Sequence, residues 1–161
     1  MIRLLSLFTA LCMIASQSLA LSCLRLDPVE TFQRLAAAPE QYFVLYGTLT
    51  FDEAALPEMD LSNQTPAPEP IPGHFEGKGL TREGFTSDYV STVNLQVQCA
   101  GPWCGGAASG VEAVFFVPFS EPPVSLIAEP CGGMIFPEPS EATLGMLTSC
   151  MQGGTCERLP R

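Results

Sequence analysis

Positive charge is scarce in this sequence. Its 161 residues include 7 Lys and Arg against 17 Asp and Glu, and a single His. Binding to nucleic acid or to anionic lipid needs basic residues that displace counterions, so the composition argues against both kinds of partner. One imidazole does not suffice for a histidine-based zinc site. The acidic excess favours solubility, and the partner that suits it electrostatically is a cationic one.

Sequence motifs of catalysis are also missing. No Gly-x-Ser-x-Gly segment supplies a serine nucleophile to work with His74. The acidic pairs Asp52-Glu53 and Glu58-x-Asp60 lack the spacing of an EF-hand and are interpreted as a solvated face. One Trp and three Tyr are few for a sugar-binding groove. We therefore predict no catalytic, cofactor-binding or metal site, and a protein that is not an enzyme.

No segment after residue 20 is apolar for long enough to span a membrane. The N-terminal segment has the features of a secretion signal, because Arg3 precedes an apolar run over residues 4–15 and small residues follow. We predict a signal peptide over residues 1–20. Cleavage after Ser22 is the alternative, and it would make Cys23 the new N-terminus. Cleavage at either site predicts a secreted or periplasmic protein.

The predicted mature chain, residues 21–161, is long enough for one domain that buries about two-thirds of its unfolded surface. The loss of Arg3 leaves six basic against 17 acidic residues, a formal charge of −11. One stretch, residues 52–72, is acidic and rich in proline, which predicts an extended loop or a polyproline-like strap. Its prolines at alternate positions are Pro66, Pro68, Pro70 and Pro72.

Six of the seven cysteines follow the signal peptide, which predicts three disulfides in an oxidising compartment. Spacing favours a bond across the Gly-Pro turn between Cys99 and Cys104 and another across the Gly-Gly pair between Cys150 and Cys156. Cys23 would then pair with Cys131. Crossed pairings stay open.

Hydrophobic periodicity predicts a mainly β fold with one helix near each end. Asp27 and Ser140 are expected to cap these helices, and Ala38-Pro39 ends the first. Short strands with long connections favour a small OB-like barrel of about five strands, stapled by disulfides. The predicted strands cover residues 42–51, 90–99, 111–119, 124–129 and 134–136. The strand at 124–129 is predicted to form a hairpin with the strand at 111–119. Residues 75–80 form a short segment interrupted by glycines.

The order of these parts resembles a known module. Cys23 lies near the mature N-terminus, a helix leads into a strand that bends at Gly47, and Cys104 and Cys131 flank a hydrophobic hairpin. This arrangement resembles the netrin-like module, the OB-type barrel of the tissue inhibitors of metalloproteases. That family usually opens with Cys-x-Cys, whereas this chain has Cys23-Leu24-Arg25. The resemblance covers about residues 23–131 and does not include the strap.

The segment from Cys99 to Gly105 is similar to the Cys-x-Gly-Pro-Trp-Cys-Gly motif of small secreted bacterial proteins, a likeness that carries no known activity. It also has the Gly-Pro and Trp of thioredoxin sites. In those sites two residues separate the sulfurs and the first thiolate lies at a helix N-terminus, whereas here four residues intervene after a strand. A structural clip is the expected role.

These features predict an exported, non-enzymatic binding domain with an unknown protein partner, for which a cationic protein is our hypothesis. Two alternatives stay open. One is thiol–disulfide exchange through Cys99 and Cys104. The other follows from the inhibitor resemblance, which implies that the free amine and carbonyl of an N-terminal Cys23 chelate a protease zinc while Leu24 enters the protease pocket.

Overall fold

The computed structural model describes residues 22–24 and 26–158. The predicted signal peptide over residues 1–20 lies outside the described part of the chain. Within that part the elements in chain order are α1 (Pro28–Ala36), β1 (Tyr42–Phe51), a 3₁₀ turn (Glu53–Ala55), β2 (Ile71–Thr81), β3 (Gly84–Val97), β4 (Cys99–Ala100), β5 (Trp103–Cys104), β6 (Glu112–Pro118), β7 (Val124–Ala128), β8 (Ile135–Pro137) and α2 (Glu141–Met151).

One six-stranded sheet, in the order β7-β3-β2-β1-β6-β8, forms the body of the molecule. The first three strands follow one another as an antiparallel meander, and β6 pairs antiparallel with the other edge of β1. The sheet curls into a half-barrel, which confirms the predicted small OB-like β fold with a helix near each end. It has six strands where about five were expected.

The position of β7 differs from the expectation. The sequence predicted a hairpin with β6, but β7 pairs in parallel with β3, with Val93 opposite Val124 and Val97 opposite Ala128. The hairpin prediction is therefore wrong. β6 has neither edge free along most of its length, because β1 takes one edge and β8 takes the other. The alternation of apolar and polar residues along β7, which includes Leu126, indicates which face of the strand is buried. It does not specify which strand lies beside β7.

The central strands β1 and β6 have buried residues on both faces. Along β1, Leu45 and Leu49 point into the half-barrel, whereas Val44 packs beneath the helices. β6 repeats the arrangement, with Phe115 in the inner core and Phe116 in the outer one. A strand that is covered on both sides reads as a continuous apolar run, as β6 does.

Both helices begin at the predicted capping residues. The Asp27 carboxylate accepts a hydrogen bond from the backbone N–H of Val29 at 2.9 Å, and the Ser140 hydroxyl accepts one from the backbone N–H of Thr143 at 3.1 Å. Each cap satisfies a donor that the first turn leaves free. The two helices then cover the outer face of the sheet, where Val29 and Leu147 are fully buried.

The hairpin of β2 and β3 is longer than the sequence indicated. The glycine-punctuated segment at 75–80 belongs to a ladder that extends as far as Thr81 opposite Gly84. After the turn, Thr86, Ser87 and Asp88 are consecutive polar and exposed residues, so the pattern of apolar alternation there is weak. β2 begins at Ile71, which places the last two residues of the predicted loop inside a strand.

Three disulfides tie the chain, with sequence separations of 108, 5 and 6 residues. They are the pairs that spacing favoured. The first joins the N-terminal segment to the loop after β7, and the other two close short local loops. Three disulfides in a chain of this size are typical of an oxidising compartment. The bonded pairs are Cys23–Cys131, Cys99–Cys104 and Cys150–Cys156.

Candidate functional site

A groove lies between the C-terminal end of α1 and the beginning of β1. Its volume is about 600 Å³, within the range of small-molecule sites. We call it the α1–β1 groove. Its walls are mostly apolar and come from four elements, namely α1, β1, β6 and α2. The lining residues are Phe32, Leu35, Ala36, Ala38, Pro39, Glu40, Gln41, Tyr42, Phe43, Val44, Phe116, Phe119 and Met151.

Two exposed phenylalanines line this groove. The ring centroids of Phe43 and Phe119 are 5.3 Å apart with a tilted geometry, and the two residues are 38% and 63% exposed. The backbone N–H of Phe119 donates to the carbonyl oxygen of Gln41 at 2.8 Å, which holds the end of β6 beside the beginning of β1. The pair is therefore a fixed aromatic surface and not a loose loop contact.

Glu40 is the one charged side chain among the thirteen residues of the lining. It lies in the connection between α1 and β1 and is exposed. Gln41 and the phenol of Tyr42 add hydrogen-bonding groups to the same wall. The groove thus combines an apolar body with a single negative charge.

A second candidate surface is the connection between β1 and β2, which we call the acidic strap (residues 52–70). It contains three Glu and two Asp with no Lys or Arg. Most of its side chains are exposed, among them Met59 at 64% and Leu61 at 68%. These two apolar residues alternate with Glu58 and Asp60, so acidic and apolar groups reach solvent side by side.

Contacts with the barrel anchor the first part of the strap. The Glu53 carboxylate accepts a hydrogen bond from the backbone N–H of Ser109 at 2.6 Å, and Leu56 packs against the inner core. Farther along, the Asp60 carboxylate accepts bonds from both the backbone N–H and the hydroxyl of Ser62, at 2.9 and 2.6 Å. These bonds lower the pKa of Asp60 below its ordinary value of 3.8, because they favour the charged form of the carboxylate.

The disulfide between Cys99 and Cys104 closes the small hairpin of β4 and β5. The two cysteines face each other across that ladder, and both pack against the inner core. The backbone N–H of Gly105 then donates to the carbonyl oxygen of Gln98 at 2.8 Å. A thioredoxin-type site places its reactive sulfur at a helix N-terminus, which lowers the thiol pKa. Here both sulfurs lie between strands.

Cys23 and Leu24 lie at the surface, where the disulfide to Cys131 fixes their position. Leu24 is 84% exposed and Cys23 is also exposed. The next described residue, Leu26, lies against Gly133, in the loop that contains Cys131. Cys23 and Leu24, the residues that the inhibitor resemblance concerns, therefore lie at the surface beside a disulfide.

His74 and the acidic pairs do not converge. His74 lies opposite Thr50 and Thr92 within the sheet and is exposed. Asp52 caps the short 3₁₀ turn, where its carboxylate accepts from the backbone N–H of Ala54 at 3.1 Å. Across residues 22–24 and 26–158, no group of three or more Asp, Glu, His or Cys side chains is arranged to hold a metal ion.

The acidic composition of residues 52–72 predicted the strap, whereas the groove was not predicted. By alternation, Phe43 shares a strand face with Leu45, and Phe119 shares one with Val117. The one available signal was that each aromatic residue stands at a strand end, beside a proline-containing connection. A strand end can lie beyond the edge of the core, which leaves an aromatic side chain there exposed to solvent.

Comparison with known proteins finds no matching family model, no similar curated protein and no similar solved structure. Of the helices in the described residues, none combines the length and hydrophobicity needed to cross a bilayer.

Proposed function

We propose that this protein is an exported, non-enzymatic binding domain whose acidic strap engages a cationic protein partner. The N-terminal sequence and the three disulfides support export to the periplasm or the medium. The observation that carries the proposal is the exposure of Met59 and Leu61 between charged neighbours. Many protein interfaces combine buried apolar residues, which supply most of the affinity, with adjacent charges, which speed association and select the partner.

Charge sets the class of partner. The strap carries five carboxylates with no Lys or Arg, and the hydrogen bonds from Ser62 favour the charged form of Asp60. A strand or loop in which Lys or Arg alternates with an apolar residue would complement the order Glu58, Met59, Asp60 and Leu61. Opposite charges along such a segment would also raise the association rate.

The anchoring of the acidic strap favours binding, because an anchored segment loses less conformational entropy when a partner orders it. Glu53 and Leu56 hold the beginning of the strap to the barrel, and its end enters β2 directly. Prolines restrict the backbone between these points. A segment that is already ordered loses less conformational freedom on association than a free loop does.

The test uses a synthetic peptide of alternating Lys and Leu as the probe, with a Glu and Leu peptide of the same length for comparison. We expect the Lys peptide to bind the purified protein at low salt, as measured by isothermal titration calorimetry, and the Glu peptide not to bind. The screening length falls from about 10 Å at 0.1 M salt to about 3 Å at 1 M, so the affinity should fall steeply between these concentrations. Attachment that persists unchanged at 1 M salt would contradict the proposal.

Two double variants separate the apolar and charged contributions. Met59→Ser with Leu61→Ser should weaken binding at every salt concentration, whereas Glu58→Gln with Asp60→Asn should weaken it mainly at low salt. The matched control is Glu121→Gln with Glu157→Gln, which removes the same charge from exposed positions outside the strap. If the control weakens binding as much as the charge variant of the strap does, net charge and not the strap attracts the peptide.

Protease inhibition is a second candidate, because Leu24 is exposed beside the disulfide that holds Cys23. The proposal requires cleavage after Ser22, which would free the amine of Cys23 for zinc. N-terminal sequencing of the exported protein decides between the two cleavage sites. A mature chain that begins at Leu21 would rule this candidate out.

A further inference from the structure

We propose that the α1–β1 groove binds a small amphiphilic cation, a molecule with one apolar body and one positive charge. This site is separate from the acidic strap. The groove is built around the N-terminal end of β1, whereas the strap leaves the C-terminal end of the same ten-residue strand. The two surfaces can therefore be tested independently.

The shape and lining of the groove specify the apolar body. Its volume of about 600 Å³ is that of a site for a small molecule, not of a flat protein interface. Phe32, Leu35 and Phe116 form apolar walls from α1 and from the outer face of the sheet. An alkyl chain or aromatic ring that enters between them leaves water, which is the main favourable contribution to binding.

Two observations specify a positive charge. Glu40 is the single charged group in the lining, so the charge of the lining complements a cation. Phe43 and Phe119 present exposed rings at 5.3 Å from each other, and the face of an aromatic ring attracts a cation. No Lys or Arg lines the groove. An anionic amphiphile would meet repulsion from Glu40 without a compensating group.

The test compares decyltrimethylammonium with decyl sulfate below their micelle concentrations, because the two probes share a chain and differ in charge. The protein is labelled with ¹³C at the methionine methyl groups. Met151 lines the groove and Met59 lies on the strap, so the two signals report the two surfaces separately. We expect decyltrimethylammonium to shift the Met151 signal saturably while the Met59 signal stays in place.

The ammonium probe should bind about two- to fivefold more tightly than the sulfate probe, the range for a solvent-exposed charge pair. Glu40→Gln should reduce this preference to the part that the aromatic rings supply, whereas Glu69→Gln in the strap should leave it intact. Phe119→Ala should weaken both probes, and the ammonium probe more, by about tenfold, because it removes an apolar contact and a ring face that attracts a cation. Glu40, Phe119 and Glu69 are exposed, so these variants should remain folded, and circular dichroism checks this.

Three results would overturn the proposal. The Met151 signal does not saturate with the ammonium probe, or the sulfate probe binds as tightly as the ammonium probe, or the Met59 signal shifts in place of the Met151 signal. The third result would move the cation site to the strap.

Discussion

Gly47 and Gly77 lie directly opposite each other in the ladder between β1 and β2, and neither position has room for a side chain. A Cβ atom on Gly47 would lie 2.3 Å from the carbonyl oxygen of Glu76 and 2.5 Å from the Cα of Gly77. A Cβ atom on Gly77 would lie 2.3 Å from the carbonyl oxygen of Tyr46. These are contacts with backbone, which no change of rotamer relieves. Glycine is therefore the residue that both positions require.

The first prediction follows from this contact. Gly47→Ala should lower the free energy of unfolding by at least about 3 kcal/mol, because the two strands must separate to accept the methyl group. The measurement is equilibrium unfolding in guanidinium chloride. The control is Gly79→Ala in the same strand pair, where the nearest atoms to a new Cβ lie 3.7 Å away. That variant should differ from the parent by no more than about 1 kcal/mol.

The second prediction concerns the cap of α1. Asp27 accepts a backbone hydrogen bond at 2.9 Å and also lies 3.7 Å from the guanidinium of Arg158. Asp27→Ala should lower the free energy of unfolding by about 1 kcal/mol because the first turn loses its acceptor. Asp27→Asn keeps an acceptor and removes the charge, so it should recover most of that loss. If the Asn and Ala variants are equally unstable, the ion pair and not the cap stabilises this end of the helix.

The local parts of the fold could be predicted because each is determined by neighbours in sequence. The cap at Asp27, the whole of β1 and the two short disulfides are all of this kind. The position of β7 could not be predicted, because a period-two pattern fixes which face of a strand is buried and leaves its partner open. Val124 therefore suits a hairpin with β6 as well as the parallel pairing with Val93 that the structure contains.

Of the two candidate surfaces, the acidic strap could be predicted from local sequence and the α1–β1 groove could not. Composition predicts the acidic strap, since alternate prolines and carboxylates do not form a packed core. The groove depends on where the core ends along β1. Phe43 and Val117 are partners in the ladder, yet Phe43 is 38% exposed and Val117 is fully buried. Alternation assigns both residues to an apolar row and does not show that one of them lies beyond the core.

The third prediction concerns a hydrogen bond on the outer face of the sheet. The phenol of Tyr46 donates to the Glu112 carboxylate at 2.8 Å. This bond, with partial burial and the negative charge of Glu112, raises the pKa of Tyr46 above its ordinary value of 10.0. The stabilisation is fully present below pH 10.0 and is lost as the pH rises through the raised pKa.

Titration of the tyrosinate absorbance measures this pKa, and Tyr46→Phe identifies which transition belongs to Tyr46. Glu112→Gln should lower the pKa of Tyr46, because it removes the charge that disfavours the phenolate. A transition that does not move in the Gln variant would show that the charge of Glu112 does not act on Tyr46 in solution.

The fourth prediction compares two disulfides by the length of chain that each one closes. Cys23–Cys131 spans 108 residues, whereas Cys150–Cys156 spans 6. If a disulfide acts mainly by restricting the unfolded chain, replacing the first pair with serine should cost about 2.5 kcal/mol more than replacing the second pair. Guanidinium chloride unfolding of the two double variants measures the difference. Equal losses would show that contacts in the folded state, and not the entropy of the unfolded chain, determine what each bond contributes.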